Sequence, residues 1–131
     1  MARLAEIAQT TGVATTTERL LLRLDDQHAT VIRIKRLRYD NNDRVLSYEE
    51  VAIPSSRMPQ NGDLSLDLLD LARSRGLTLG RATEFVLMIS ADTVVAAHLG
   101  VAEGTRVMKL DRVVETGDGL PIEWRVAFSA P

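Results

Sequence analysis

The sequence predicts an α+β fold built around an antiparallel sheet, and three observations carry that prediction. Residues 31–53 (VIRIKRLRYDNNDRVLSYEEVAI) and 107–128 (VMKLDRVVETGDGLPIEWRVAF) each read as a β-hairpin, with β-branched and apolar residues flanking Asn, Asp and Gly turn chemistry. The two hairpins echo each other at an offset of 76 residues: Val31 falls on Val107, Ile34 on Leu110, Arg36 on Arg112 and Leu37 on Val113, with Lys35 on Asp111 the exception. A helical segment precedes each hairpin. The chain therefore reads as a duplicated unit of helix then hairpin, two copies pairing into one sheet with helices on one side.

Taken in order, residues 2–9 place Leu4, Ile7 and Ala8 at helical spacing ahead of Gly12, which leaves a short helix and an arm or linker remnant (1–14) equally open. Thr15 followed three residues later by Glu18, ahead of RLLLRL, is a capping-box pattern and favours a helix over 16–24. Leu20, Leu22 and Leu24 also alternate, so a strand is the alternative. Residues 29–39 and 44–53 form the first hairpin around Asp40-Asn41-Asn42-Asp43, and Pro54 ends it. A helix is predicted over 64–75, with Leu64, Leu68, Leu71 and Ala72 on one face and Gly76 at its stop. A strand over 81–89 follows, then a helix over 93–99 capped by Ser90 or Asp92 and closed by Gly100, a turn at Glu103-Gly104, and the second hairpin turning at Asp118-Gly119.

The totals narrow the functional classes. The 131 residues suit one domain with a real core, here 15–131. Net charge is −2 with both signs interspersed, which argues against a broad basic surface for nucleic acid; the 4% aromatic content argues against base stacking. Without cysteine, disulfides and thiolate metal sites are excluded. No apolar run reaches membrane-spanning length and the first dozen residues lack a signal-peptide core, so a cytoplasmic location is expected. His28 reads as a loop residue and His98 as a helix-surface residue, neither a metal ligand. Trp124 reads as packing, and Met58, Met88 and Met108 as gap fillers. No cofactor is expected.

The chemistry lies on the hairpins. A two-residue turn at Asn41-Asn42 pairs Arg38 with Val45, Arg36 with Ser47, Ile34 with Glu49 and Ile32 with Val51, so one face carries Arg36, Arg38, Ser47 and Glu49 beside an apolar end. A turn at Asp118-Gly119 pairs Leu110 with Ala127, Arg112 with Arg125 and Val114 with Glu123, giving the second hairpin the same mixture. Guanidinium forks match carboxylate or phosphate oxygens, and a nearby carboxylate accepts from hydroxyls or an amine. The competing reading is an exposed sheet face with ordinary cross-strand ion pairs.

The run Arg36-Leu37-Arg38, a turn, and Glu49 five residues before Pro54 resembles the UTRA effector-binding domain of GntR-type transcription regulators of the HutC subfamily. So do Ala96-Ala97-x-Leu99-Gly100-Val101, Glu103-Gly104, Arg112 and Asp118-Gly119-x-Pro121-Ile122-Glu123. The resemblance implies a chorismate lyase-like fold, with a small metabolite held between half-units: a phosphosugar, a carboxylate or an amino-acid derivative. It implies that Arg36 and Arg38 hold an anionic group, that Glu49 and Glu123 take hydroxyls or an amine, and that Ser65 helps at a helix N-terminus. It also implies a homodimer whose DNA contacts come only through a winged helix-turn-helix domain absent from this chain. The segment ahead of Arg36 is short for the family, which implies a first half-unit lacking a strand. Asp67 stands where the family often has an aromatic residue, which weighs against phosphate. Two other readings stay open: a chorismate lyase-like enzyme eliminating pyruvate, and a domain kept for dimerisation with its pocket closed by Arg36–Glu49 and Arg112–Glu123 pairs.

Overall fold

The computed structural model describes residues 3–57, 68 and 76–130. Six strands form one antiparallel sheet in the order β1-β2-β3-β6-β5-β4. They are β1 Arg3–Val13, β2 Thr30–Tyr39, β3 Val45–Pro54, β4 Leu79–Ser90, β5 Arg106–Thr116 and β6 Pro121–Ser129. Helices α1 (Thr16–Leu22) and α2 (Thr93–Leu99) follow β1 and β4, and a 3-10 turn covers Ser55–Arg57. The α+β class and the antiparallel sheet are those the hairpins predicted.

The duplication runs deeper than the hairpins. Each half is strand, helix, hairpin, and the helices and hairpin strands recur at or within a residue of the 76-residue offset. The halves meet where β3 pairs with β6, Glu49 opposite Ala127 and Val51 opposite Arg125. Residues 3–13 are neither helix nor arm: they are the edge strand β1, paired with β2 along its length. The first half-unit therefore lacks no strand. The apolar residues at helical spacing were too few to fix a helix, and β-pairing supplies the hydrogen bonds instead.

Both helices follow from their caps. In α1 the Thr15 side chain accepts from the Glu18 amide (3.1 Å) and Glu18 accepts from the Thr15 amide (2.8 Å), so the capping box forms. Arg23 takes the left-handed conformation (φ 50°) and ends the helix two residues before the predicted limit. Of the two candidate caps for α2, Asp92 is the one used, accepting from the Val95 amide at 2.9 Å; Gly100 closes the helix at φ 69°.

Both described helices lie on one face of the sheet. Leu22 and Leu24 pack with Ala14, Val31 and Ala52 against Trp124, whose indole nitrogen donates to Asp111 at 2.8 Å. Val95 and Ala96 pack with Tyr48, Ala91 and Val107, and His98 stacks on the Tyr48 ring with centroids 4.3 Å apart. Met88 on the edge strand β4 and Met108 opposite it on β5 are exposed and fill no core gap, and Met58 lies outside the described residues.

The hairpin registers divide. The second is as predicted, with Leu110 opposite Ala127, Arg112 opposite Arg125 and Val114 opposite Glu123. The first is displaced by two residues from the predicted pairing: Arg36 faces Glu49, Arg38 faces Ser47, Ile34 faces Val51 and Ile32 faces Ile53. The cause is the turn. Asp40 donates its amide to the Arg44 carbonyl (2.8 Å), Asp43 to that of Asp40 (3.2 Å), and Asp43 is left-handed (φ 59°), so the turn centres one residue later than Asn41-Asn42. A slip of two keeps every side chain on its face, since alternation has period two.

Candidate functional site

On the sheet face opposite α1 and α2, buried polar side chains sit beside an apolar cluster of Ile34, Val51 and Ile53. Arg36, Ser47, Glu49, Glu123 and Arg125 are all buried there, Arg36 and Glu49 to 2% and 3% exposure. Alternation along β2, β3, β5 and β6 puts them on one surface, and the β3–β6 joint brings the two sets together.

Glu49 is the hub of the first half. Its Oε1 accepts from Nε of Arg36 at 2.9 Å, and its Oε2 accepts from Nε of Arg38 at 3.1 Å and from the Ser47 hydroxyl at 3.0 Å. Burial by itself would raise the Glu49 pKa. The Arg38 hydrogen bond and the charges of Arg36, Arg38 and Arg125 outweigh it and bring the carboxyl from an ordinary 4.5 down to about 2. Glu49 is thus a fixed anion holding two guanidiniums. Nη2 of Arg36 is buried without a hydrogen-bond partner among the described residues.

Beside this hub lies an open cavity of about 390 Å³, of a size with small-molecule sites. Its charged lining comes from both halves: Arg38 from the first, Arg112, Glu123 and Arg125 from the second. Leu68, Leu79 and Val114 form its apolar wall, and Gly80 and Ala82 of β4 complete it. Arg36, Ser47 and Glu49 do not line the cavity; they sit behind Arg38 and orient it. Ser65 and most of the predicted 64–75 helix lie outside the described residues. Leu68 is helical and buried, packed with Leu79, Val114 and Ile122.

Gly80 has a steric role in this wall. A Cβ there would meet the Thr116 carbonyl oxygen at 2.5 Å, so β4 can approach the β5–β6 turn this closely only with glycine. Glu84 was missed from sequence. It pairs with Arg112 at 2.8 Å from the adjacent strand, and aligning β4 beside β5 was the signal that could have found it. The Arg36–Glu49 pair forms, but the cavity is not closed by it, and the ion pair formed by Arg112 across strands runs to Glu84. His28 and His98 are in a loop and on α2, and no group of His, Asp and Glu with metal-holding geometry occurs among the described residues.

The duplicated α+β sheet thus carries a charged cavity lined from both of its halves. The chain belongs to the UTRA domain family, whose model matches residues 5–130, β1 included. Solved structures share the fold. The effector domain of PhnF from Mycobacterium smegmatis superposes with a TM-score of 0.89 at 24% identity, covering 99% of this chain and 81% of that one. The ligand-binding domain of a GntR-family regulator from Bordetella bronchiseptica gives 0.88 at 23% identity, covering 98% and 82%. The transcriptional regulator YydK from Bacillus subtilis gives 0.88 at 19% identity, covering 98% of this chain and 58% of that one. The chain thus spans just over half of that regulator. No curated protein matches in sequence. No helix among the described residues is long and apolar enough to cross a membrane.

Proposed function

We infer that this chain is the effector-sensing part of a GntR-type transcription regulator of the HutC subfamily, acting in the cytoplasm without catalysis. One observation carries the reading: a single cavity draws its charged lining from both half-units, Arg38 from one and Arg112, Glu123 and Arg125 from the other. A molecule bound there contacts both halves at once. Its affinity depends on their relative placement, and binding shifts the population toward the placement it fits. An attached winged helix-turn-helix domain reads that shift as a change in DNA affinity, to the extent of the differential affinity of the two states.

The effector is a small polar metabolite, a phosphosugar, a carboxylate or an amino-acid derivative, with guanidiniums for its oxyanion and Glu123 for hydroxyls or an amine. Ser47 and Glu49 act through Arg38, and Arg36 acts through Glu49. The working unit is a homodimer. Its support is β4, an edge strand with Phe85, Val86, Leu87 and Met88 exposed in succession, whereas the edge strand β1 exposes only Ile7 and Val13 among its large apolar residues. Bare apolar edges invite pairing with another chain, and a two-fold pairing of β4 with its own copy covers both.

Thermal-shift screening of phosphosugars, carboxylates and amino-acid derivatives tests the sensing role. At least one class raises the unfolding midpoint in a saturable way. A chain that no member of the panel stabilises is not a sensor of these metabolites.

A further inference from the structure

The two half-units carry equivalent rows of side chains across the charged face, and the rows differ in one charge. In the first half the row runs Glu6, Arg36, Glu49, each directly opposite the next on neighbouring strands. In the second it runs Glu84, Arg112, Arg125. The central arginine has a carboxylate on either side in the first row. In the second it has Glu84 on one side, at 2.8 Å, and a second guanidinium on the other. Glu49 and Arg125 are equivalent at the 76-residue offset, so a guanidinium stands where the fold's own template has a carboxylate. Like charges directly opposite on antiparallel strands repel. Here one of them, Arg125, is nine-tenths buried, where screening by water is weak.

The cavity opens at this row. Arg112 and Arg125 both line it, while their first-half equivalents, Arg36 and Glu49, do not. We propose that Arg112 and Arg125 form an oxyanion subsite, in which a carboxylate or phosphate group of the effector takes the part that Glu49 plays beside Arg36. The first half shows what such a group does: one carboxylate accepts from two arginine Nε atoms, at 2.9 and 3.1 Å. Arg38 and Glu123, each one row further toward the turn of its own hairpin, then face the remainder of the molecule from opposite sides. This assignment rests on the sensing role proposed above and orients the effector within the cavity.

The test uses inorganic phosphate and malonate as probes at low millimolar concentration, against sodium chloride of equal ionic strength, with binding read from the thermal unfolding midpoint. Both oxyanions stabilise the wild type in a saturable manner beyond chloride. Arg112→Gln and Arg125→Gln each weaken probe binding by about tenfold or more, the loss expected for a charge-assisted hydrogen bond. Lys109→Gln, on the opposite face of β5, leaves probe binding within about threefold. Two variants on different strands guard against one failing to fold, and each variant's transition in chloride reports its fold. If Arg112→Gln and Arg125→Gln both bind the probes as wild type does, or Lys109→Gln loses binding equally, the subsite is wrong and the sensing role stands. No oxyanion effect beyond chloride in the wild type also overturns the subsite, even if a neutral metabolite binds. Oxyanion binding lost in both arginine variants, with no metabolite of the panel binding, supports the subsite and removes the sensing role.

Discussion

Glu49 concentrates the electrostatics of the molecule in one side chain. It is buried and holds Arg36, Arg38 and Ser47 through hydrogen bonds of 2.9 to 3.1 Å. Removing its charge takes from buried Arg36 the carboxylate it is hydrogen-bonded to, so Glu49→Gln is expected to destabilise the fold by about 3–5 kcal/mol, measured by urea denaturation. The pH dependence has a definite sign. A carboxyl whose folded pKa is about 2, against an ordinary 4.5, stabilises the fold fully above that ordinary value and loses the contribution as pH falls through the interval. Glu18 acts in the same direction: burial opposes its charge, but Arg33 and the Thr15 amide outweigh burial and lower its pKa. Stability is therefore expected to fall between about pH 4.5 and 2 in wild type, and less steeply in Glu49→Gln, followed by circular dichroism. Asp43 makes a separate case. It holds φ 59° where its equivalent in the second half is Gly119 at φ 81°. Asp43→Gly is expected to be neutral or stabilising by up to about 1 kcal/mol, since its partner Arg3 is an exposed pair of little worth.

Among the elements, legibility followed the strength of the local signal. The capping box at Thr15 and Glu18, the Asp92 cap and the Gly100 stop each satisfy backbone groups by a mechanism readable from residue type, and α1 and α2 formed where those signals stood. Thr15→Ala is expected to cost about 1 kcal/mol in thermal or chemical unfolding. The strand β1 was not legible because RLAEIAQTTGV lacks a clean period of two, and its pairing with β2 is a tertiary matter. The first hairpin's register was missed by two residues, yet the information was present. Transferring the correct second register by the 76-residue offset puts Arg36 opposite Glu49. Both turns also make the same bonds, Asp40 to Arg44 and Thr116 to Leu120. Centring the turn on Asn41-Asn42 instead of one residue later hid this, because Asp43 does not advertise a left-handed conformation as glycine does. Faces survived the error, so Arg36, Arg38, Ser47 and Glu49 were still placed together. Gly80→Ala tests the cavity wall at this scale: the added methyl meets backbone at 2.5 Å, and a clear destabilisation is expected in a thermal melt.

For the whole molecule, the two half-units treat their outer strands differently, and the difference points outward. The four exposed apolar residues of β4 are expected to lie in a homodimer interface. Leu87→Glu then gives a monomer by sedimentation equilibrium, while Ile7→Glu on β1 leaves the dimer intact. A pocket between the half-units was expected from the paired hairpins and the family resemblance, but its lining was not legible residue by residue. That lining depends on β3 meeting β6, a contact between halves that local pattern does not encode. The central claim is that this cavity binds the effector with both halves at once. Calorimetric titration of the best metabolite from the screen, into wild type and into Arg38→Ala, tests it most directly. One site per chain and a loss of affinity of about tenfold or more in Arg38→Ala are predicted. Unchanged affinity in Arg38→Ala contradicts it.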